Sequence, residues 1–200
     1  CVVSQTYFYL IFKNTDEIQS IVYFEGVDGI LSSFFVKAIE TIYTVLDIIL
    51  SNKNNSGITR DEQELFVNLA KDVENATGGN ETHVDRVAKY TRLILKEMGY
   101  LDSTCDLVSN AAALHDIGKI AIPNEIISKY GLLSNKERSI MNKHTEYGKE
   151  ILGSIDSEFM KIAADIASEH HERYDGSGYN KKSGEEINIY IIISTVGLVF

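Results

Sequence analysis

From Thr59 onward the chain is punctuated by helix-start and helix-stop residues with hardly a strand-forming run between them, and this leaves room for little but a helical fold. Thr59 with Glu62, and Ser134 with Glu137, have the spacing of capping boxes, in which a hydroxyl and a carboxylate satisfy each other's backbone amides at a helix start. The first predicts a helix to about Ala76, the second a helix to about Leu152. Asn80 is placed to cap a helix that Gly99 ends, with Val84, Val87, Ile94 and Leu95 on its apolar face. Ser103 with Asp106 predicts a third box, opening a helix through Ala111–Leu114 that Gly118 and Pro123 break. A short helix over 124–129, stopped by Gly131, and one from Glu158 to about Glu172 complete the series. A glycine loop at Asp175–Gly178 and an apolar segment from Ile187 follow. Pro123 is the one proline among 200 residues, so no other position breaks a helix for want of an amide.

The first 57 residues read differently. Thr6–Lys13 and Ile18–Glu25 are aromatic and β-branched runs around Asn14-Thr15-Asp16-Glu17, which predicts a hairpin. Phe34–Leu50 carries Phe35, Ala38, Ile39, Ile42, Val45, Leu46 and Ile49 at helical spacing, and Ser51–Gly57 is a polar boundary. The expected organisation is a partial input or sensor-like α+β segment over 1–57 and a mainly helical domain over 58–200. The 34–50 helix is a candidate dimer contact. A net charge of −10 argues against a DNA-binding role, which needs a basic face. Cys1 and Cys105 form no disulfide framework and point to a reducing, cytoplasmic setting. The longest uncharged run, Ile187–Phe200, has 14 residues, too few for a membrane span within this stretch. With Cys1 in first place and no basic stretch before an apolar core, no signal peptide is expected, and both ends read as cut from a longer parent.

Five histidines carry most of the functional information: His83, His115, His144 and the pair His170-His171. Each falls on or at the end of an expected helix, and facing helices can build a metal site in a bundle core. Asp116 follows His115 directly, giving a nitrogen and an oxygen donor at one helix end, a set that suits Fe, Mn or Zn better than Mg or Ca.

Read as words, the segments are more specific. Ala113-Leu114-His115-Asp116-Ile117-Gly118-Lys119 resembles the HD signature of metal-dependent phosphohydrolases. His170-His171-Glu172-Arg173-Tyr174-Asp175-Gly176-Ser177-Gly178-Tyr179 resembles the second signature of the HD-GYP subfamily. His83-Val84-Asp85-Arg86-Val87 and Lys143-His144-Thr145-Glu146-Tyr147-Gly148 resemble its intervening words, in the same order. The resemblance implies an HD-domain helical bundle and a cyclic di-GMP phosphodiesterase with two or three metal ions, Fe or Mn foremost and Zn admissible. It implies His83, His115, Asp116, His144, His170 and His171 as ligands, with Asp116 bridging and catalytic. Lys119, four residues past His115, would steady phosphoryl oxygens or help the leaving group. Gly178 and Tyr179 would face the substrate. A GAF-like input domain is the expected upstream partner.

Two departures bear on activity. Asn180 stands where the subfamily has proline, which is expected to loosen the loop. The metal-binding aspartate of the final helix aligns near Leu198, and the carboxylate that trinuclear members use before the first histidine aligns with Gly79. A binuclear site, one ion weakly held, is therefore expected. Three readings stay open: a cyclic di-GMP hydrolase, a degenerate nucleotide receptor or scaffold, and an HD phosphohydrolase for another nucleotide.

Overall fold

The computed structural model of the chain describes residues 6–14, 17–26 and 58–199. The chain divides into two compact units, Cys1–Glu40 and Thr41–Phe200. In the first, strands β1 (Thr6–Asn14) and β2 (Glu17–Gly26) pair antiparallel, with Phe8 opposite Phe24, Leu10 opposite Val22, and a bulge at Phe12/Lys13. The hairpin is where the β-branched and aromatic runs place it. The helix expected over 34–50 and the boundary at 51–57 lie outside the described residues.

The second unit is a helical bundle of α1 (Arg60–Ala76), α2 (Glu81–Glu97), α3 (Asp102–Ala112), α4 (Asn124–Ile127), α5 (Asn135–Met141), α6 (His144–Gly153), α7 (Glu158–Glu169) and α8 (Ile189–Val199). A 3-10 turn spans Ile117–Ala121. Both outer capping boxes form: Thr59 accepts from the Glu62 amide and Ser134 from the Glu137 amide, with each glutamate reaching back. Asn80 caps α2 through Oδ1 to the Thr82 amide at 2.9 Å, and Gly99 ends it at φ +84°. Leu95, Val108, Leu114, Leu152, Met160 and Ile166 are fully buried and tie α2, α3, α6 and α7 into one core. Helix α8 lies along α2, and α6 lies against both α7 and the 3-10 turn. Among the described residues no helix is long and apolar enough to cross a membrane.

Three local expectations are corrected. The Ser103–Asp106 box does not form: α3 begins after Leu101 without a side-chain cap, because Asp106 is engaged by Arg92 at 2.7 Å. The helix expected from Ser134 to Leu152 breaks at Asn142-Lys143, where side chains capture its carbonyls. His144 Nδ1 takes Met141 O at 2.8 Å and Thr145 Oγ1 takes Asn142 O at 3.0 Å. The helix expected to run to Glu172 ends at Glu169, where His170 Nδ1 takes the carbonyls of Ala167 and Ile166.

Candidate metal centre

Each break described above delivers a histidine. His115 follows the end of α3 in a tightened turn, His144 opens α6, and His170 and His171 follow α7, while His83 sits in the first turn of α2. His115 Nδ1 lies 3.0 Å from Ala112 O, His144 Nδ1 2.8 Å from Met141 O, and His170 Nδ1 3.0 Å from Ala167 O. A carbonyl only accepts, so Nδ1 carries the proton in all three rings and Nε2 presents its lone pair. His144 Nε2 and His170 Nε2 then face each other at 3.3 Å as two acceptors.

All six expected residues converge. His83, His115 and Asp116 bring one donor atom each within 4.8 Å of one another, as do His144, His170 and His171. Asp116 joins the groups: Oδ2 is 3.1 Å from His115 Nε2, and Oδ1 is 3.3 Å from His144 Nε2 and 3.7 Å from His170 Nε2. Yet Asp116 Oδ1 and His115 Nε2, both buried, have no hydrogen-bond partner. Buried polar atoms are almost always satisfied, and the two left over here, with paired imidazole lone pairs beside them, fit divalent cations. These residues could hold metal in either group, with the carboxylate shared.

The electrostatics agree for four of the five rings; at His115 burial pulls the imidazole down, but Asp116 beside it outweighs burial and raises it. Burial, the largest influence on His83, His144, His170 and His171, holds each below the ordinary imidazole value, His171 at about 4. They are neutral at pH 7, the form that ligates. Burial pushes the Asp116 carboxyl up, but His115 and Lys119 outweigh it and hold it well below the usual carboxylate range. Burial depresses the Lys119 ammonium, and Asp116 and Glu74 more than restore it, so it stays charged.

Lys119 Nζ sits 2.7 Å from Asp116 Oδ2 at the edge of this group. Gly118, read from sequence as a helix breaker, serves a different purpose. An added Cβ would stand 2.0 Å from His144 O and 2.5 Å from Gly148 N, so the 3-10 turn presses directly on the α6 backbone. That contact sets Asp116 and Lys119 against His144.

The glycine loop lies against His171. The Tyr179 ring stacks on the His171 ring at 4.6 Å and 31° while remaining 43% exposed. A Cβ on Gly178 would stand 2.5 Å from Glu172 Cα, so the missing side chain serves the loop's own closure. Asn180 is tied into the loop by its own bonds. Its amide donates to Glu172 Oε1 at 2.7 Å, which proline could not do, and its Nδ2 donates to Ser168 O at 3.0 Å. Lys182 N donates to Glu172 Oε2 at 2.9 Å, and the Lys182 ammonium pairs with Glu169. Leu198 packs against the hydrophobic core, and Cys105 is fully buried among helices.

Two carboxylates escaped sequence reasoning. Glu172 is the buried hub of the loop, and Glu74 is a buried carboxylate 3.3 Å from Lys119 Nζ. Glu74 had a readable signal: it follows Val73 and lies four residues past Ala70, on the apolar face of α1.

The HD domain family matches residues 47–190. The chain is 37% identical over 194 residues to the 3'3'-cGAMP-specific phosphodiesterase 2 of Vibrio cholerae, covering 96% of this chain and 37% of that protein. It is 36% identical over 140 residues to the cyclic di-GMP phosphodiesterase response regulator RpfG of Xanthomonas campestris, covering 70% of this chain and 37% of that protein. It is 44% identical over 97 residues to a cyclic di-GMP phosphodiesterase of Thermotoga maritima, covering 48% of this chain and 26% of that protein. The chain thus spans little more than a third of the first two relatives and about a quarter of the third. With its metal-competent histidines and the loop behind His171 in the order of that subfamily, the chain belongs to the HD-domain family, in its HD-GYP branch.

Proposed function

We propose that this chain is the catalytic segment of a cytoplasmic, metal-dependent phosphodiesterase that opens a cyclic dinucleotide in bacterial second-messenger signalling. The observation that carries the reading is Asp116, whose two oxygens join two groups of imidazole lone pairs while Lys119 stands beside them. His83, His115 and Asp116 would hold one divalent ion, and His144, His170, His171 and Asp116 a second, with Fe or Mn the best fit and Zn admissible. Such ions, when bound, supply charge neutralisation at the phosphoryl group and a nucleophile at neutral pH. The chain's own part is to fix the ligand rings through Nδ1, to bring the Lys119 ammonium to a phosphate oxygen, and to offer the Tyr179 ring at the mouth of the site. Gly178 gives that ring its place. Cyclic di-GMP is the substrate implied by the signatures, and the named activity of the Vibrio relative makes 3'3'-cGAMP the first competitor to test. An N-terminal input domain in a longer parent, and a homodimer through the segment 34–50 whose sequence has helical spacing, belong to the same reading.

A second reading, a receptor that binds nucleotide without cleaving it, is favoured by Leu198, a half-buried residue packed against the core near the position where the resemblance implies an aspartate. The decisive experiment supplies Mn²⁺ or Fe²⁺ and follows cyclic di-GMP, 3'3'-cGAMP, the linear dinucleotide and mononucleotides by chromatography. The expected result is opening of a cyclic dinucleotide. His115→Ala and Asp116→Ala are expected to abolish metal uptake by elemental analysis, since each removes a direct ligand. Nucleotide binding without cleavage gives the receptor reading the lead, and unchanged metal content in both variants overturns the ligand assignment.

A further inference from the structure

Glu74 lies in the last turn of α1 on its buried face, one residue past Val73, and none of the six histidine and aspartate ligand candidates lies on that helix. A carboxylate in such a place is costly unless a cation meets it. The cation is Lys119, whose Nζ lies 3.3 Å from Glu74 Oε2 and 2.7 Å from Asp116 Oδ2. The ammonium is therefore held between two carboxylates, one of them on a helix 45 residues before Lys119 in sequence. Asp116 alone would hold it poorly. Its Oδ2 is already 3.1 Å from His115 Nε2, and a divalent cation at that oxygen would repel the ammonium. Glu74 is the counter-charge that keeps Lys119 in place under that repulsion.

The chain makes room for this arrangement. A Cβ on Gly79 would lie 2.1 Å from Glu74 Oε1 and 2.4 Å from Glu74 Cδ. The absent side chain at Gly79 is therefore the space that the Glu74 carboxylate fills. The Gly79 amide also donates to Glu74 O at 2.9 Å, fixing the turn against the end of α1.

We propose that Glu74 is a positioning residue for Lys119: its carboxylate, seated over Gly79, holds the Lys119 ammonium beside Asp116 at the edge of the histidine cluster. What Lys119 does there, serving a phosphate oxygen, rests on the proposed function. The placement itself does not.

The test compares Glu74→Ala, Glu74→Asp and Gly79→Ala with the wild-type protein. Acetylation of each lysine by an amine-reactive acetate ester is followed by mass spectrometry, with exposed Lys161 as internal reference. Glu74→Ala releases Lys119, and its labelling rises several-fold against Lys161 while bound Mn²⁺ stays at the wild-type level. Glu74→Asp, one methylene shorter, restores part of the protection. Gly79→Ala keeps the carboxylate but evicts it, so it raises Lys119 labelling too and decides the matter if Glu74→Ala does not fold. In steady-state turnover of a cyclic dinucleotide, kcat falls by about 10²-fold, the usual cost of misplacing a reacting group by about 1 Å, with KM changed far less. Lys119 labelling equal to wild type in the folded variants, or a rise shared by all lysines, overturns the proposal. So does a loss of Mn²⁺, which would make Glu74 a ligand. Labelling needs no substrate, so a wild-type protein inactive on every cyclic dinucleotide defeats the proposed function and leaves the role of Glu74 to be decided by Lys119.

Discussion

Gly118→Ala probes the closest backbone approach around the histidine cluster. The added methyl carbon would lie 2.0 Å from His144 O, 2.5 Å from Gly148 N and 2.9 Å from His144 C, where ordinary contact begins at 3.4 Å. The gap to be opened against the carbonyl oxygen is therefore 3.4 minus 2.0, or about 1.4 Å. Every one of these neighbours is backbone, so no flexible side chain can yield. Overpacking of this kind costs about 1–3 kcal/mol, and rigid neighbours place it at about 3 kcal/mol. For a domain of this size that lowers Tm by about 6–12 °C. Separating the 3-10 turn from α6 also draws Asp116 away from His144 Nε2, now 3.3 Å from its Oδ1, so Mn²⁺ content falls as well. Gly148→Ala is the matched control. Its Cβ would meet the Ala167 methyl at 3.0 Å, the Gly118 amide at 3.6 Å and Ile117 Cγ2 at 3.8 Å, a cost of about 1 kcal/mol. Thermal melts by circular dichroism and elemental analysis of both variants read the two effects. A Gly118→Ala protein melting no lower than Gly148→Ala, with wild-type metal content, would refute the claim that this crossing sets the ligand geometry.

In the metal-free protein, acid should destabilise the bundle. Burial keeps His83, His144, His170 and His171 below the free imidazole value, His171 at about 4, so the unfolded chain binds more protons below about pH 6.5, and stability falls as pH drops from there. Asp116, held well below the usual range, adds loss in the same direction at lower pH, while His115, raised by Asp116, opposes it. A urea midpoint at pH 5 equal to or above that at pH 7.5 would contradict this balance. Asn180→Pro restores the subfamily's residue but removes the amide bonded to Glu172 and the side-chain bond to Ser168, costing about 1–3 kcal/mol; hydrogen exchange should quicken at the Lys182 amide, and unchanged exchange would count against Glu172 as the loop's anchor. Leu198→Asp, with Val199→Asp beside it to cover register, should raise metal stoichiometry while lowering the metal-free Tm, since Leu198 now packs on the core; stoichiometry unchanged in both would mean the missing carboxylate is not limiting.

The helix starts at Thr59, Asn80 and Ser134 were legible because capping is a local bargain between residues two or three apart. The six ligand candidates were legible as words, and they meet in space as those words imply. What stayed hidden was decided by distant partners. Ser103 and Asp106 have the spacing of a box, but Arg92, fourteen residues away, takes the carboxylate first. Asn142-Lys143 carries no proline or glycine, and the break there comes from His144 and Thr145 reaching back for carbonyls as the ring turns inward. Glu74 looked like one acid among many on α1, since Lys119 reaches it only through the fold. Asn180 read as a lost constraint because its compensating bonds run to Glu172 and Ser168, which sequence spacing alone does not connect.

The tethering of His115, His144 and His170 to the carbonyls of Ala112, Met141 and Ala167 has a consequence for how this domain can drift in sequence. Many metal sites aim their imidazoles with an outer carboxylate, a side chain that must then be preserved along with the ligand. Here the aiming group is the peptide bond three positions upstream, which every residue type supplies. Ala112, Met141 and Ala167 can therefore exchange for other residues of similar volume without turning the rings. The three helix ends must hold their shape, but no second set of polar side chains has to be inherited with these three histidines. A domain built this way can travel through distant chains with only a few short words intact, the orientation of these rings copied by the main chain.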